Sequence, residues 1–450
     1  MAANDRIAVE WPTAPPLSEE VLDQARRRQH DLEALGLVDT TRTAFQPFFI
    51  WPLRQSSEHL DHGFWATLGL VDHDARYPGY LMDYNGGERT YDLASGYNHQ
   101  GTDLVAWPFG WVKVALNQVE VVAAAAGTIV MKEDGNFDRE CAADFEEERE
   151  ANYVAVAHQD GSLALYGHLK KGSLTKKKEG DTVDQGEVLG ILGSSGYSGY
   201  PHLHFEVYDP SENLIDPFAG PHNQMNSTSW WSKQPPYYDP ELLAIMTHSA
   251  QPLGGQCKNA ERPNVARRFA PGDDVYVAAY LRDLRRKQRV RYTVLEPDGE
   301  VFAKGKFNRL ESHALIAGMV QRLTLPDDAD HGRWIYRVKL KKTKLEDSFE
   351  VGVFEPAMAV RSVKPKKLAA GTRKKIRVLG SGFTPGMAAD IQSRGAIEKN
   401  IEIRRVKVKS RRVILTVIAG PSASPGARNL VLTAPDYTQL IVDDALRVIE

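Results

Sequence analysis

Short apolar runs and alternating apolar and polar positions recur along most of this chain. Between residues 99 and 217, VEVVAAAAGTIV, NYVAVAHQD, SLALYGHL and HLHFEVYD have strand lengths and are separated by Gly-rich turns. After residue 250 come VYVAAYLRD, VRYTVLEPDGEVF, RWIYRVKLKK and SFEVGVFE, with turn signals such as PGDD and EPDGE between them. The pattern predicts a mainly β protein, with an antiparallel β-sheet domain followed by two β-sandwich domains of immunoglobulin type.

Helical patterns are rare in the sequence. Residues 18–36 predict one helix, with Ser18 as its N-cap, acidic residues in its first turn and Gly36 after its end. PELLAIMTHS, at residues 240–249, is predicted to be a short helix or a linker. Residues 45–98 are rich in aromatic residues, Gly and Asp, and they predict short strands or packed loops.

The length of 450 residues exceeds what one hydrophobic core usually holds, so several domains are expected. In GRWIYRVKL, the alternation places Trp334, Tyr336, Val338 and Leu340 on one face of a strand. The predicted division is a helix- and loop-rich region at 1–85, an antiparallel β domain at 86–240, and sandwiches at 250–355 and 357–450.

Composition excludes two classes of protein. With 42% hydrophobic and 26% charged residues the chain is expected to fold, and without an apolar run of 18 residues no membrane span is expected. The first 20 residues contain no apolar signal-peptide segment, which leaves open a cytoplasmic protein or the mature form of a secreted one. Cys141 and Cys257 lack metal-binding spacing, so either a disulfide or two unrelated buried thiols is expected.

Charge is distributed unevenly along the chain. The net charge is -3, yet residues 357–450 contain 18 Lys and Arg against 7 Asp and Glu, a local +11. KPKKLAAGTRKK and RRVKVKSRR alternate basic with apolar residues, which fits either a surface for an anionic envelope polymer or a solvated strand face. No nucleic-acid partner is expected.

The segment HLHFEV contains the first candidate site residues. On a strand, His202, His204 and Glu206 share one face, and the intervening apolar residues share the other. Two imidazoles about 7 Å apart on one face need a polar partner: a metal ion, a substrate or a buried carboxylate. Glu206 is either a carboxylate that supports a ligand imidazole or a solvent-facing strand residue.

A matching group of residues lies in HQGTDL. His99 and Asp103 are four residues apart, and Gly101 indicates a turn that enters a strand and aims both side chains at one point. Two histidines and one carboxylate leave a fourth position on zinc open for a water that the metal activates, which is the catalytic pattern. His168, after Tyr-Gly, either contributes to this site or ends a strand at a turn.

HQGTDL, YGHL and GSSGYSGYPHLHFEV, together with the spacer EGDTVDQGEVLGILG, occur in one order over residues 95–218. This stretch resembles the lysostaphin-type (LytM-like) zinc endopeptidases. The resemblance implies one Zn²⁺ per chain, held by His99, Asp103 and His204, with His168 and His202 as catalytic residues beside it. It further implies hydrolysis of peptide bonds in peptidoglycan crosslinks, at an extracellular or periplasmic location.

Roughly the last 90 residues resemble IPT/TIG domains, which mostly serve as binding modules or spacers and not as catalytic domains. The residues that carry this resemblance are Val363, Pro365, Gly371, the run GSGF from Gly380, Pro385-Gly386 and Pro425-Gly426.

Three other functions are considered. An endopeptidase of this type can act on extracellular proteins instead, and a non-catalytic envelope-binding scaffold can retain a peptidase-like fold. VAAAAGTIV with EGDTVDQGEVLGILG also resembles the biotinyl and lipoyl carriers, for which Lys132 is the candidate modified lysine. That alternative leaves the histidines unexplained.

Overall fold

The computed structural model describes residues 17–38, 47–56, 61–139, 149–255, 260–393 and 395–450. Cys141 and Cys257 lie outside the described residues, so a disulfide between them stays a prediction. The described chain divides at Pro240 into two compact units.

The described residues of the first unit form two helices and eleven strands. Helix α1 (Glu19–Ala34) begins after Ser18, whose hydroxyl accepts a hydrogen bond from the Val21 amide at 3.3 Å, so the predicted N-cap is confirmed. Helix α2 is Gly110–Ala115. The strands are β1 (Leu53–Gln55), β2 (Trp65–Gly69), β3 (Thr102–Ala106), β4 (Val119–Val122), β5 (Gly127–Glu133), β6 (Tyr153–Ala157), β7 (Leu163–Gly167), β8 (Thr182–Val183), β9 (Val188–Ile191), β10 (His202–Tyr208) and β11 (Leu214–Ile215).

Two antiparallel sheets organise this unit. One has the order β1-β4-β9, and the other has the order β2-β3-β10-β7-β6-β5-β8, with β11 paired to β10. Because β2 pairs with β3, the boundary predicted at residue 85 falls inside a sheet and separates no structural unit. Leu203, Phe205 and Val207 of β10 are fully buried in the main core, as the alternation predicts.

In the part of the second unit that the structure describes, strands are the regular elements. They are β12 (Glu241–His248), β13 (Arg268–Phe269), β14 (Asp274–Leu284), β15 (Val290–Leu295), β16 (Val301–Lys306), β17 (Ala314–Thr324), β18 (Gly332–Leu340), β19 (Thr343–Val351), β20 (Ala359–Lys364), β21 (Lys367–Ala369), β22 (Arg373–Ser381), β23 (Ala388–Ser393), β24 (Ala396–Ile397), β25 (Ile401–Lys409), β26 (Arg412–Ala419), β27 (Gly426–Thr433) and β28 (Gln439–Ile449).

Each half of this unit has two sheets over one core. Sheets β12-β14-β17 and β13-β19-β18-β15-β16 share a core that includes the predicted face of Trp334, Tyr336, Val338 and Leu340. Sheets β20-β22-β26-β25 and β21-β28-β27-β23-β24 share a second core. The mainly β prediction is confirmed, whereas the immunoglobulin and IPT/TIG resemblances stay predictions. No helix of the described residues is long and apolar enough to cross a membrane.

The helix or linker predicted at residues 240–249 is wrong, because this segment is strand β12. It pairs with β14 from Glu241 to His248, and every residue after Glu241 is buried. A strand covered on both faces shows no alternation, so its apolar run cannot be distinguished from a buried helical turn by periodicity.

Candidate metal centre

The candidate site residues predicted from the sequence lie at the centre of the larger sheet. Strand β10 lies between β3 and β7, and the register places His204 opposite Asp103 on one side and Gly167 on the other. His168 directly follows β7, and His99 lies three residues before β3. The HQGTDL and YGHL segments therefore lie next to the HLHFEV strand, although the three segments are far apart in sequence.

His99, Asp103 and His204 form one compact group. Nε2 of His99 lies 3.2 Å from Oδ2 of Asp103, and Nδ1 of His204 lies 2.8 Å from Oδ1 of Asp103. All three potential ligand atoms lie within 4.8 Å of one another, and all three residues are buried. Imidazole nitrogen and carboxylate oxygen are donors that zinc accepts, so this group fits a metal ion.

The second ring nitrogen of each imidazole in this group is held by an acceptor. Nδ1 of His99 lies 2.7 Å from the Leu70 carbonyl oxygen, and Nε2 of His204 lies 2.7 Å from Oε1 of Glu206. Each of these nitrogens donates its N–H outward, which leaves the opposite nitrogen directed at Asp103. This is the arrangement in which a supporting acceptor orients a ligand histidine.

Glu206 is a buried partner of His204 and does not face solvent. It is 3% exposed, and its Oε2 accepts a hydrogen bond from the Tyr208 hydroxyl at 2.9 Å. On the other side of the group, the Tyr91 ring stacks on His99 with 4.3 Å between ring centroids. The imidazoles of His99 and His204 are thus fixed in orientation by their surroundings.

The surroundings of Asp103 and His204 favour the charged forms of both side chains. Burial opposes the charge of Asp103, but the His99 and His202 imidazoles outweigh it and hold the pKa of this carboxyl well below its usual range. Burial would lower the pKa of His204, yet the hydrogen bonds to Asp103 and Glu206 raise it to about 9. A cation binding here therefore displaces a proton from His204, as metal binding to histidine generally does.

His168 and His202 lie side by side next to this group, with 4.4 Å between ring centroids. Nδ1 of His168 lies 2.6 Å from the Ser195 carbonyl oxygen, and Nδ1 of His202 lies 2.8 Å from the Tyr200 carbonyl oxygen. Burial lowers the pKa of both imidazoles, so both are neutral near pH 7.

The second nitrogens of these two histidines have few protein partners. Among the described residues, Nε2 of His168 is buried without a hydrogen-bond partner, and Nε2 of His202 lies 3.6 Å from Oδ1 of Asp103. His168 also has φ +63°, a strained conformation for a residue other than glycine. A buried nitrogen without a partner needs an explanation, and a ligand beside the group of His99, Asp103 and His204 would supply one.

Two glycines provide the space for the side chains of His204 and Asp103. A Cβ on Gly101 would lie 2.5 Å from Cε1 of His204, and one on Gly69 would lie 2.9 Å from Oδ2 of Asp103. Gly101 belongs to the HQGTDL motif, where the sequence indicates only a turn. Gly69 and the Leu70 carbonyl have no local sequence signal, because they reach the site through the pairing of β2 with β3.

Gly101→Ala is therefore expected to weaken metal binding without unfolding the chain. Displacing the His204 ring disturbs its orientation, and changes that disturb ligand orientation typically cost about 10–100-fold in metal affinity. Competitive titration with a chromophoric chelator measures the effect. Gly190→Ala is the matched control, since its Cβ would meet Leu169 at an ordinary 3.4 Å. Equal affinities of the two variants would contradict the steric role.

Two other side chains of the first unit, those of His73 and Lys132, lie outside this group. The His73 side chain is buried and paired with Asp216, with 2.9 Å between Nε2 and Oδ2. His99, Asp103 and His204 are the one group of potential metal ligands in the described part of the chain. Lys132 lies within β5 and its ammonium donates to the Thr175 carbonyl at 2.9 Å, so it is not displayed at a hairpin tip as a carrier lysine must be.

Comparison with known proteins agrees with this geometry. Residues 98–217 match the family model described as "Peptidase family M23", and this match implies a metal ion. The peptidoglycan DD-endopeptidase ShyC of Vibrio cholerae is 31% identical over 108 residues, which are 24% of this chain and 19% of that protein. The DD-carboxypeptidase/endopeptidase Mpg of Neisseria meningitidis is 45% identical over 56 residues, 12% of each protein.

A solved structure is also similar to part of this chain. The catalytic domain of lysostaphin from Staphylococcus simulans is 27% identical, with 28% of this chain and 82% of that chain covered and a TM-score of 0.20. The chain matches no more than a fifth of the length of the curated relatives ShyC and Mpg. These similarities therefore concern part of the chain and not the whole protein.

Proposed function

We propose that this protein is a zinc-dependent endopeptidase that hydrolyses peptide bonds in peptidoglycan crosslinks. The observation that carries the proposal is the convergence of His99, Asp103 and His204, whose potential ligand atoms lie within 4.8 Å of one another. The match of residues 98–217 to a peptidase family supports the same conclusion.

His99, Asp103 and His204 would hold one Zn²⁺ per chain. Three protein ligands leave one position of a tetrahedral ion open, which is the pattern of catalytic zinc. Bound there, Zn²⁺ supplies Lewis-acid chemistry that polarises the scissile carbonyl and lowers the pKa of a water. Glu206 and the Leu70 carbonyl keep the two ligand imidazoles in the orientation that this requires.

His168 and His202 would move the protons. With Nδ1 donating to a backbone carbonyl, Nε2 of each neutral imidazole is free to accept a proton from the attacking water. The protonated form then donates to the oxyanion or to the leaving amine. Two neutral imidazoles beside the proposed metal ligands give the site a proton acceptor. After the first proton transfer, they also give it a proton donor.

Peptidoglycan is the proposed substrate because the relatives ShyC and Mpg are named as peptidoglycan DD-endopeptidase and DD-carboxypeptidase/endopeptidase. The proposed location is then extracellular or periplasmic, where this polymer lies. The anionic envelope polymer at residues 357–450 is a separate proposal that concerns the second unit.

Removing the metal is expected to abolish hydrolysis. A chelator should reduce release of peptide ends from purified peptidoglycan by roughly 10³-fold or more, since the metal supplies several kcal/mol to the transition state. One equivalent of Zn²⁺ should restore the rate, whereas Mg²⁺, which prefers oxygen ligands, should not. Full activity in protein shown to be free of metal would contradict the proposal.

A further inference from the structure

The sheet β20-β22-β26-β25 has one face in the core and one face open to solvent. Ile376, Val378, Val413 and Leu415 are buried in the core beneath it. Since side chains alternate along a strand, the residues between them point outward. Strands β22 and β25 flank β26. On each of them, the outward positions are all basic over a stretch of five residues.

Two basic rows follow from this alternation. The first is Arg373, Lys375 and Arg377 on β22, and the second is Arg405, Lys407 and Lys409 on β25; all six residues are exposed. The register aligns them across β26: Arg377 and Lys407 both lie opposite Ile414, while Lys375 and Arg405 both lie opposite Thr416. Between the rows, Ile414, Thr416 and Ile418 form an uncharged strip.

The spacing of the rows is regular. Alternate residues on a strand repeat about every 6.8 Å, and two strands separated by a third lie about 10 Å apart. None of the six basic side chains forms an ion pair with another described residue, and Glu402, the acidic residue on this face, contacts Arg404 at 2.9 Å. Their positive charges therefore face solvent without compensation.

The outward face of β18 and β19 in the other half of the unit is different. There Arg337 is paired with Glu346 at 2.5 Å, and Arg333 lies opposite Glu350 in the register. These two basic residues thus have an acidic neighbour on the adjacent strand, whereas Lys339 lies opposite Lys344. In the two basic rows of β22 and β25, by contrast, no acidic residue lies opposite any of the six residues in the strand pairing.

We propose that the two basic rows bind a linear cell-envelope polymer that carries one phosphate in each repeating unit. The polymer lies along β26, so that its phosphates meet basic groups on both sides at the repeat of the strand. The outward positions of the four strands hold no aromatic side chain for stacking, which disfavours single-stranded nucleic acid. The proposal concerns binding alone and does not depend on hydrolysis at the metal centre.

Poly(glycerol phosphate) is the probe, titrated into the full chain at low salt and followed by calorimetry. The variant Lys375→Gln/Arg377→Gln/Arg405→Gln/Lys407→Gln removes two charges from each row. Since exposed ion pairs each contribute modestly, the loss of four is expected to weaken binding by about 10–100-fold. Added salt should weaken the binding of the unmodified chain, because exposed charges are screened within about 8–10 Å.

A control variant carries the same change in net charge. Lys304→Gln/Lys306→Gln/Lys339→Gln/Lys344→Gln alters four exposed strand lysines of the other half and should leave the affinity within about twofold, since long-range charge is screened. Circular dichroism checks that both variants fold. Equal weakening by both variants, or binding of duplex DNA or anionic lipid vesicles as tight as that of the polymer, would overturn the assignment. Because the titration uses metal-depleted protein, its failure leaves the peptidase proposal untouched.

Discussion

His204→Ala is expected to lose both bound zinc and hydrolytic activity. Nδ1 of His204 lies 2.8 Å from Asp103 and 3.3 Å from Nε2 of His99, so its removal opens the centre of the proposed ligand group. The remaining imidazole and carboxylate form a two-ligand site, too few for a catalytic zinc. The rate should fall by roughly 10³-fold or more, corresponding to several kcal/mol of lost metal catalysis.

Metal analysis and a peptidoglycan assay on the same preparation measure both effects. His222→Ala is the matched control, because this histidine lies in the same unit, is exposed and belongs to no group of potential ligands. It should retain zinc and rate. If His204→Ala bound zinc as tightly as the control, the proposed ligand set would be wrong.

His168→Ala and His202→Ala are expected to separate metal binding from catalysis. Neither residue belongs to the ligand group, and both present a neutral imidazole beside it. Each variant should keep nearly one zinc per chain and lose about 10²–10⁴-fold in rate, the usual contribution of a general acid or base. The comparison is sharpest on β10, where His202 and His204 share one face of the strand.

Exchanged phenotypes would show that these roles are wrongly assigned. That result would be loss of zinc in His202→Ala together with retention of zinc in His204→Ala. If both variants kept zinc and activity, the proposed enzyme function itself would be contradicted. Thermal unfolding of each variant controls for the cavity left by a buried imidazole.

The parts of the site that come from local alternation could be predicted from sequence. The period of two in HLHFEV separates His202, His204 and Glu206 from the buried Leu203 and Phe205, and β10 has this arrangement. The helix at residues 19–34 was equally predictable, because an N-cap serine and the residues that follow it are adjacent in the chain.

The parts that depend on pairing between distant strands could not be predicted. The Leu70 carbonyl reaches His99 because β2 pairs with β3, and no pattern near Leu70 specifies that pairing. Burial of Glu206 depends on the hydroxyl of Tyr208 and on the imidazole of His204, which a period of two does not reveal. Strand β12 was missed for a related reason, since burial on both faces removes the alternation by which a strand is recognised.

The central claim is that the protein hydrolyses peptide bonds of peptidoglycan and that His99, Asp103 and His204 would hold the one zinc ion that this requires. Its most direct test combines metal analysis of the purified chain with mass spectrometry of peptidoglycan that the same sample has digested. We predict about one zinc per chain, as for a three-ligand catalytic site, and new peptide ends in the crosslinks. Peptidoglycan left uncut by zinc-loaded protein, or cut equally well by protein holding less than about a tenth of an equivalent of metal, would contradict the account.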